Sequence, residues 1–296
     1  MSHIPVLTKE MIQILSPKDN KKYLDCTFGA GGHSLSILRN TYNSYLTSLD
    51  IDSKILNFVD ILKNKYSNRF TFIKSNFTEI DKLFNQEKFD GIILDLGVSS
   101  MQLDSSERGF SFSKDGFLDM RMGNSELTAF DVINKFSREE LANIIYELGE
   151  EVQSKQIANA IVSFRKKSPI NSTLELAKIV RNAMHYRPSK IDLATKTFQA
   201  IRIYINNELD NLRIFLSKVR NILSLNGIIL IISFHSLEDK IVKNFFREYA
   251  IKKKSSNSDG FLKIITKKPI VPSKEEIFIN KRSRSAKLRA AQKICE

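Results

Sequence analysis

The chain has 296 residues, 42% of them hydrophobic, enough for one large domain or two modest ones around ordinary cores. Its 46 Lys and Arg against 33 Asp and Glu leave a formal charge of +13, which favours a polyanionic partner through counterion release, although a genome that loads Lys, Asn and Ile everywhere produces the same excess. With no basic segment leading into an apolar one, no apolar run longer than a buried strand, four scattered histidines and only Cys26 and Cys295 at opposite ends, the composition excludes a membrane span, a disulfide scaffold and a zinc cage; the expectation is a cytoplasmic protein without a metal.

Runs rich in β-branched, aromatic and aliphatic residues at 23–26, 46–49, 70–74 and 91–96 predict four strands. Helical stretches at 34–39, 54–66 and 80–83 separate them as crossovers, so strand and helix alternate in the manner of a parallel sheet. After Leu96 the rhythm changes. Residues 105–123 are irregular and rich in Gly, Ser and Phe, and 129–184 carry helical periodicity. Ser137 with Glu140 fits a capping box, Leu141, Ile144, Ile145 and Leu148 make an apolar stripe, and Gly149 reads as the stop. A second helix is expected over 151–166. The core pattern then resumes with one long amphipathic helix over 197–225, a turn at Asn226 and Gly227, and a strand over 228–234. A helix over 237–249, a strand over 261–266 and a last strand or basic tail over 286–294 follow, with a low-complexity surface loop at 252–258. The expected organisation is a core in two parts, 1–104 and 195–296, interrupted by a mostly helical subdomain at 105–194.

The most informative segment is 25–33, which reads Asp, Cys, Thr, Phe, Gly, Ala, Gly, Gly, His between the first strand and the first crossover helix. Glycines there let the backbone turn sharply and let a ligand lie against main-chain N–H groups at a helix start, the mark of a nucleotide-like cofactor. Asp50, at the end of the second strand, is placed to accept both hydroxyls of a ribose, which reports a nucleoside without saying which. Asp25 puts a second carboxylate where a nicotinamide dinucleotide would set its pyrophosphate. S-adenosylmethionine has no phosphate and brings a sulfonium and an ammonium, so acidic residues favour it over the dinucleotide. Phe77, beyond strand three, can lie on an adenine, and Asp95, ending strand four, lines the same crevice. The alternative is that Asp25 and Asp50 cap helices and Phe77 is core.

Beyond that turn, the segment 94–102 (Leu, Asp, Leu, Gly, Val, Ser, Ser, Met, Gln), with 107–112, 115–122, 195–203, 3–7 and 232–239 (Ile, Ser, Phe, His, Ser, Leu, Glu, Asp), closely resembles the bacterial RsmH (MraW) family. The matching motifs run in order from residue 3 to about 289. The resemblance implies an α/β, Rossmann-like S-adenosylmethionine-dependent methyltransferase fold with an inserted helical subdomain that recognises substrate. It implies methylation of the N4 amino group of a cytidine in the decoding region of 16S ribosomal RNA, with the small ribosomal subunit as partner. Carried over position by position, it places the cofactor on Gly31, Gly32, His33, Asp50, Phe77, Asp95 and Gln102; Asp25 is added from charge and position. Cys26 where a smaller residue is usual, Thr8 for an aliphatic one and Asn226 with Gly227 for a paired-glycine turn are departures that remove no group the chemistry needs.

For the reaction, the residues expected to act are Asp95 and the carbonyls of Leu96, Gly97 and Val98 as acceptors near N4. Ser99 and Ser100 are placed to contact base or phosphate, or else to satisfy the turn backbone. Phe234 and His235, after the fifth strand, are placed to form the base pocket or to structure their own turn; His185 and His3 are weaker choices. Arg165, Lys166, Lys167, Arg181 and Arg187, with Lys281, Arg282, Arg284, Lys287 and Arg289, are the phosphate partners on offer. The competing functions are a methylase of DNA or protein, and a noncatalytic RNA-binding protein that kept the fold.

Overall fold

The computed structural model describes residues 5–123, 125–184, 191–251 and 259–295. His3, His185, Arg187 and the 252–258 segment lie outside the described residues. The chain divides into two compact units, Met1–Gly97 with Leu209–Glu296, and Val98–Glu208. The sequence had suggested divisions near 104 and 194; the helix starting at Thr195 packs with the second unit instead.

The first unit is built on a seven-stranded sheet. Its strands are β1 (Lys22–Asp25), β2 (Tyr45–Asp50), β3 (Phe70–Lys74), β4 (Phe89–Asp95), β5 (Leu223–Ser233), β6 (Leu262–Ile264) and β7 (Lys287–Lys293). The order is β3-β2-β1-β4-β5-β7-β6, parallel throughout except that β7 runs antiparallel to both its neighbours. The order reverses between β1 and β4, and at such a switch the crossovers leave on opposite sides and open a crevice outside the carboxyl ends of the strands. Ile92, Ile93 and Leu94 point alternately to the two faces and are all fully buried, so β4 is covered on both sides.

Around the sheet run α1 (Thr8–Leu15), α2 (Gly32–Arg39), α3 (Leu56–Lys65) and the single turn α4 (Ile80–Leu83). The second unit holds α5 (Ser100–Asp104), α6 (Ala129–Lys135), α7 (Arg138–Gly149), α8 (Ser154–Arg165), α9 (Thr173–Ala183) and α10 (Thr195–Asn206). The chain then returns through α11 (Glu208–Ile222), α12 (Ser236–Glu248) and α13 (Lys274–Ile279). Within the second unit α7 packs against both α10 and α8, and α8 against α9, around a core that includes Leu141, Ile145, Ile157, Ile161, Val180 and Ile201.

Three expectations need correcting. The single helix over 197–225 is two helices, because Asn207 adopts a left-handed conformation (φ 50°) that ends α10 before α11 begins. The turn at Asn226 lies inside a strand: β5 starts at Leu223, and Asn226 (φ 65°) makes a bulge opposite the register shift between Phe89 and Gly91. Gly149 is the last helical residue rather than the stop. The left-handed cap is Glu150, and a Cβ on Gly149 would come 2.7 Å from the Lys196 carbonyl, so the glycine is there to let α7 approach α10. The capping box of Ser137 and Glu140 forms as expected.

Candidate active site

The turn after β1 is held from both sides. Cys26 N–H donates to the Ile93 carbonyl and Phe28 N–H to the Leu49 carbonyl, each at 2.9 Å, which continues the sheet one step past its strand ends. The chain then reverses. Gly31 has φ 75°, and a Cβ on it would lie 2.7 Å from Cζ of the buried Phe28 ring; a Cβ on Gly32 would lie 2.8 Å from the Pro5 ring. Glycine is required at Gly31 by conformation and at Gly32 by the close approach of the segment before α1. His33 follows in the first turn of α2 and is buried.

Three carboxylates end three adjacent parallel strands here, and the structure gives them different tasks. Asp25 is fully buried: it accepts from the Thr27 N–H at 3.1 Å and from the Ser34 hydroxyl at 2.6 Å, and Ser34 in turn meets Ser48 at 2.8 Å. Burial pushes its carboxyl above the ordinary value, against the Ser34 bond. Its charge faces inward and ties α2 to the sheet, so the sequence expectation of a direct cofactor contact loses its geometric basis at this residue. Asp50 lies at the rim, partly buried, with Oδ2 accepting from Gly29 N–H at 2.8 Å and Oδ1 from Asp52 N–H at 2.9 Å. Its desolvation raises the carboxyl to about 6 despite those two bonds, with Asp52 and Asp25 adding to the rise.

Asp95 is the third. Its own N–H donates to the Thr27 hydroxyl at 2.7 Å, which locks the end of β4 to the turn. One carboxylate oxygen lies 3.4 Å from Nε2 of His33; the other, Oδ1, is buried and has no hydrogen-bond partner among the described residues. Burial lowers the His33 imidazole, but Asp95, Asp25 and Glu276 outweigh it and hold His33 above its ordinary value. An unsatisfied carboxylate oxygen costs about 1–3 kcal/mol or more, which makes this atom a ready acceptor for a bound donor. Phe77, in the short turn after β3, sets its ring edge-on to Phe215 at 5.7 Å and keeps part of its surface accessible. A glycine turn, a rim carboxylate, an aromatic ring and an orphaned acceptor fit an adenosyl group with a cationic tail. Three acids near the turn do not fit a pyrophosphate.

Past Gly97 the chain enters the second unit. There Ser99 and Gln102 close a capping box on α5: Gln102 Oε1 accepts from Ser99 N–H at 2.9 Å, and Ser99 Oγ accepts from Gln102 N–H at 3.3 Å. Ser100 is the first residue of α5. The turn-backbone role foreseen for these serines is thus filled by Ser99, and the buried Gln102 spends its carbonyl on the same cap.

At the end of β5, Phe234 comes within 3.7 Å of where a Cβ on Gly97 would sit, so the ring borders the strand end carrying Asp95. His235 is the N-cap of α12, its Nδ1 facing Glu238 N–H at 3.5 Å. Buried Glu238 reaches back, with Oε1 3.1 Å from His235 Nε2 and Oε2 accepting from Phe234 N–H at 2.8 Å. His235 thus caps α12, and its buried Nε2 makes no hydrogen bond among the described residues.

Of the cationic residues offered for phosphate binding, several are paired within the chain, Arg181 at the surface. Arg165 donates to the Ile133 and Phe136 carbonyls, Arg181 pairs with Asp192 at 2.8 Å, and Arg289 is buried against Asp239 at 2.6 Å with Lys287 at 3.5 Å from the same carboxylate. Lys166, Lys167, Lys281, Arg282 and Arg284 are exposed. Sequence reading missed Thr27, which joins two strand ends, and Glu276, which accepts from Leu7 N–H at 2.8 Å and adds its charge to the field on His33. Nothing in the sequence signals a contact between residues so far apart.

The profile of the MraW methylase family matches residues 1–294. The chain is 51% identical over 302 aligned positions to "Ribosomal RNA small subunit methyltransferase H" of Rickettsia prowazekii (strain Madrid E), covering 99% of this chain and 98% of that one. It is 52% identical over 305 positions to the protein of the same name from Rickettsia canadensis (strain McKiel), covering 100% and 99%. With a switch-point crevice that suits an adenosyl group and a match along its whole length, the chain belongs to the MraW methylase family, the S-adenosylmethionine-dependent methyltransferases.

Proposed function

We propose that the protein transfers a methyl group from S-adenosylmethionine to the N4 amino group of a cytidine in the decoding region of 16S ribosomal RNA, acting in the cytoplasm on the small ribosomal subunit. The observation that carries this reading is the buried Oδ1 of Asp95 at the end of β4, beside the glycine turn, which no described residue satisfies. When bound, the cofactor supplies a methyl group on a cationic sulfur. Asp50 would hold its ribose, Phe77 would lie on its adenine, and Gly31, Gly32 and His33 would line its tail.

Cytosine N4 is a weak nucleophile because its lone pair is delocalised into the ring. The enzyme's task is therefore to hold the amino group in line and to accept its hydrogens, and positioning of this kind removes a large share of such a barrier. Asp95 Oδ1 and the carbonyls of Leu96, Gly97 and Val98 are the acceptors. The proton shed after alkylation passes to Asp95 or to water, and no stronger base is needed because an alkylated amine cation is acidic. Phe234 borders this strand end and offers a face to the base. Because N4 is engaged in pairing within a duplex, the target must be single-stranded or extruded. The helical unit recognises RNA in this reading, with exposed Lys166 and Lys167 toward phosphate and Ser100, or the hydroxyl hydrogen that Ser99 keeps beside its cap bond, toward the base or its phosphate.

The test is incubation with labelled S-adenosylmethionine and unmethylated small subunits, naked 16S RNA, DNA or total protein, followed by identification of the modified base. Label on a small-subunit cytosine N4 is expected. Label confined to DNA or protein would overturn the reading. Asp95→Ala should lower turnover at least a hundredfold with the circular dichroism spectrum unchanged, and full activity in that variant would move the chemistry elsewhere.

A further inference from the structure

Among the described residues, the C-terminal part of the first unit carries a group of large apolar side chains left in solvent, led by one aromatic ring. Phe278 on α13 is 86% exposed, its neighbour Ile279 68%, and Val271 just before the helix 58%. Burying such surface is worth about 25 cal/mol per Å², so exposing it on a six-residue helix costs the free protein potential stability. Yet α13 is firmly built. Ser273 caps it, with its Oγ accepting from Glu276 N–H at 3.1 Å, and Glu276 anchors it to Leu7. The helix thus has one anchored face and one face with an aromatic ring held out in solvent.

The charge beside that ring is positive. The chain leaves α13 through a 3-10 turn, Lys281–Ser285, on which Lys281, Arg282 and Arg284 are exposed, whereas Arg289 and Lys293 of β7 are buried in contacts within the unit. Glu275 is the exposed acid on the helix, outnumbered by these three cations and Lys274. An accessible aromatic face next to exposed cations is the combination that single-stranded nucleic acid binds, base on ring and phosphates on the cations. A protein partner would use the apolar trio but has less call for the cations.

We propose that α13 and the turn after it form a second RNA contact, in which an unpaired base of the substrate stacks on Phe278 while Lys281 and Arg284 meet its phosphates. The inference rests on the RNA methylation proposed above. It adds a surface separate from the carboxylates that line the crevice, and among the described residues α13 is tied to the segment before α1 by the bond from Leu7 N–H to Glu276. Stacking on Phe278 depends on no sequence, since every base has a π-face, so this contact fixes affinity and register and leaves the choice of base to the pocket.

The test compares the full-length protein with Phe278→Ala, Phe278→Trp and Lys281→Ala/Arg284→Ala, measuring Kd for unmethylated small subunits, KM and kcat, and Kd for S-adenosylmethionine. Phe278→Ala should raise Kd and KM for the subunit about tenfold and leave kcat and cofactor affinity unchanged, with Phe278→Trp restoring binding. The double variant should flatten the dependence of log Kd on log salt by about 1–2 units. Unchanged RNA affinity in Phe278→Ala would overturn the inference, as would equal losses of RNA and cofactor binding, or sedimentation showing that Phe278 joins two copies of the chain. A wild-type protein that labels no ribosomal RNA would remove the proposed function and this surface with it; wild-type labelling with an indifferent Phe278→Ala removes the surface alone.

Discussion

In the proposed cofactor site, Asp50 is expected to make binding sensitive to pH. Folding raises its carboxyl to about 6, while in the unfolded chain it titrates near the ordinary carboxylate value of about 4. A ribose diol donates two hydrogen bonds and therefore needs the ionised form. Cofactor affinity is expected to fall as the pH drops through about 6, by up to about tenfold per unit. Calorimetric titration from pH 5 to 8 checks this, and Asp50→Asn should bind weakly with that acid limb gone. An equal slope in the variant would assign the titration to another group, such as Asp25 or His33, whose values are also raised. The sequence made the strand-end acids legible, because a carboxylate closing a parallel strand lands at the crevice whatever the details. It did not separate them. Asp25 is turned inward to Ser34 on α2 and Asp50 stays at the rim on the main-chain N–H groups of Gly29 and Asp52, and that choice depends on how the turn and α2 fold back on the strand ends.

Elements show a similar division. The four strands of the first half were readable to within one or two residues, because buried parallel strands demand continuous apolar runs. The fate of β7 was open between strand and basic tail. It is a strand between β5 and β6, and its Arg289 is paired with Asp239 at the start of α12. Burial raises the Asp239 carboxyl, but Arg289 and Lys287 outweigh it and hold it below the ordinary value. Arg289→Ala should therefore destabilise the fold by about 3 kcal/mol, since it leaves a buried carboxylate with only half-exposed Lys287 beside it. A depressed carboxylate contributes stability that is present above its unfolded value and lost as the pH falls through the folded one. The difference between wild type and variant in urea should thus be constant near neutrality and shrink below about pH 4. A variant as stable as wild type that loses only RNA binding would return Arg289 to the phosphate-contact role the sequence had offered it.

For the whole molecule, Val98–Glu208 contains its own apolar core, from Ile133 on α6 to Ile201 on α10. A fragment of that span is expected to fold alone and melt cooperatively with a helical spectrum; a fragment without a cooperative transition would mean that its helices need the sheet. The sequence by itself determined the alternation of strand and helix, the glycine turn, the interruption of the core by helices and the family, because these rest on local periodicity and on contiguous motifs. Only the tertiary structure decided where the interruption ends, which arginines are paired within the chain, that Glu276 bonds to Leu7, and that Phe278 is left in solvent. Those outcomes depend on partners tens to hundreds of residues away. A side chain's reach and burial are set by the neighbour it meets across the fold, and no local pattern encodes that neighbour.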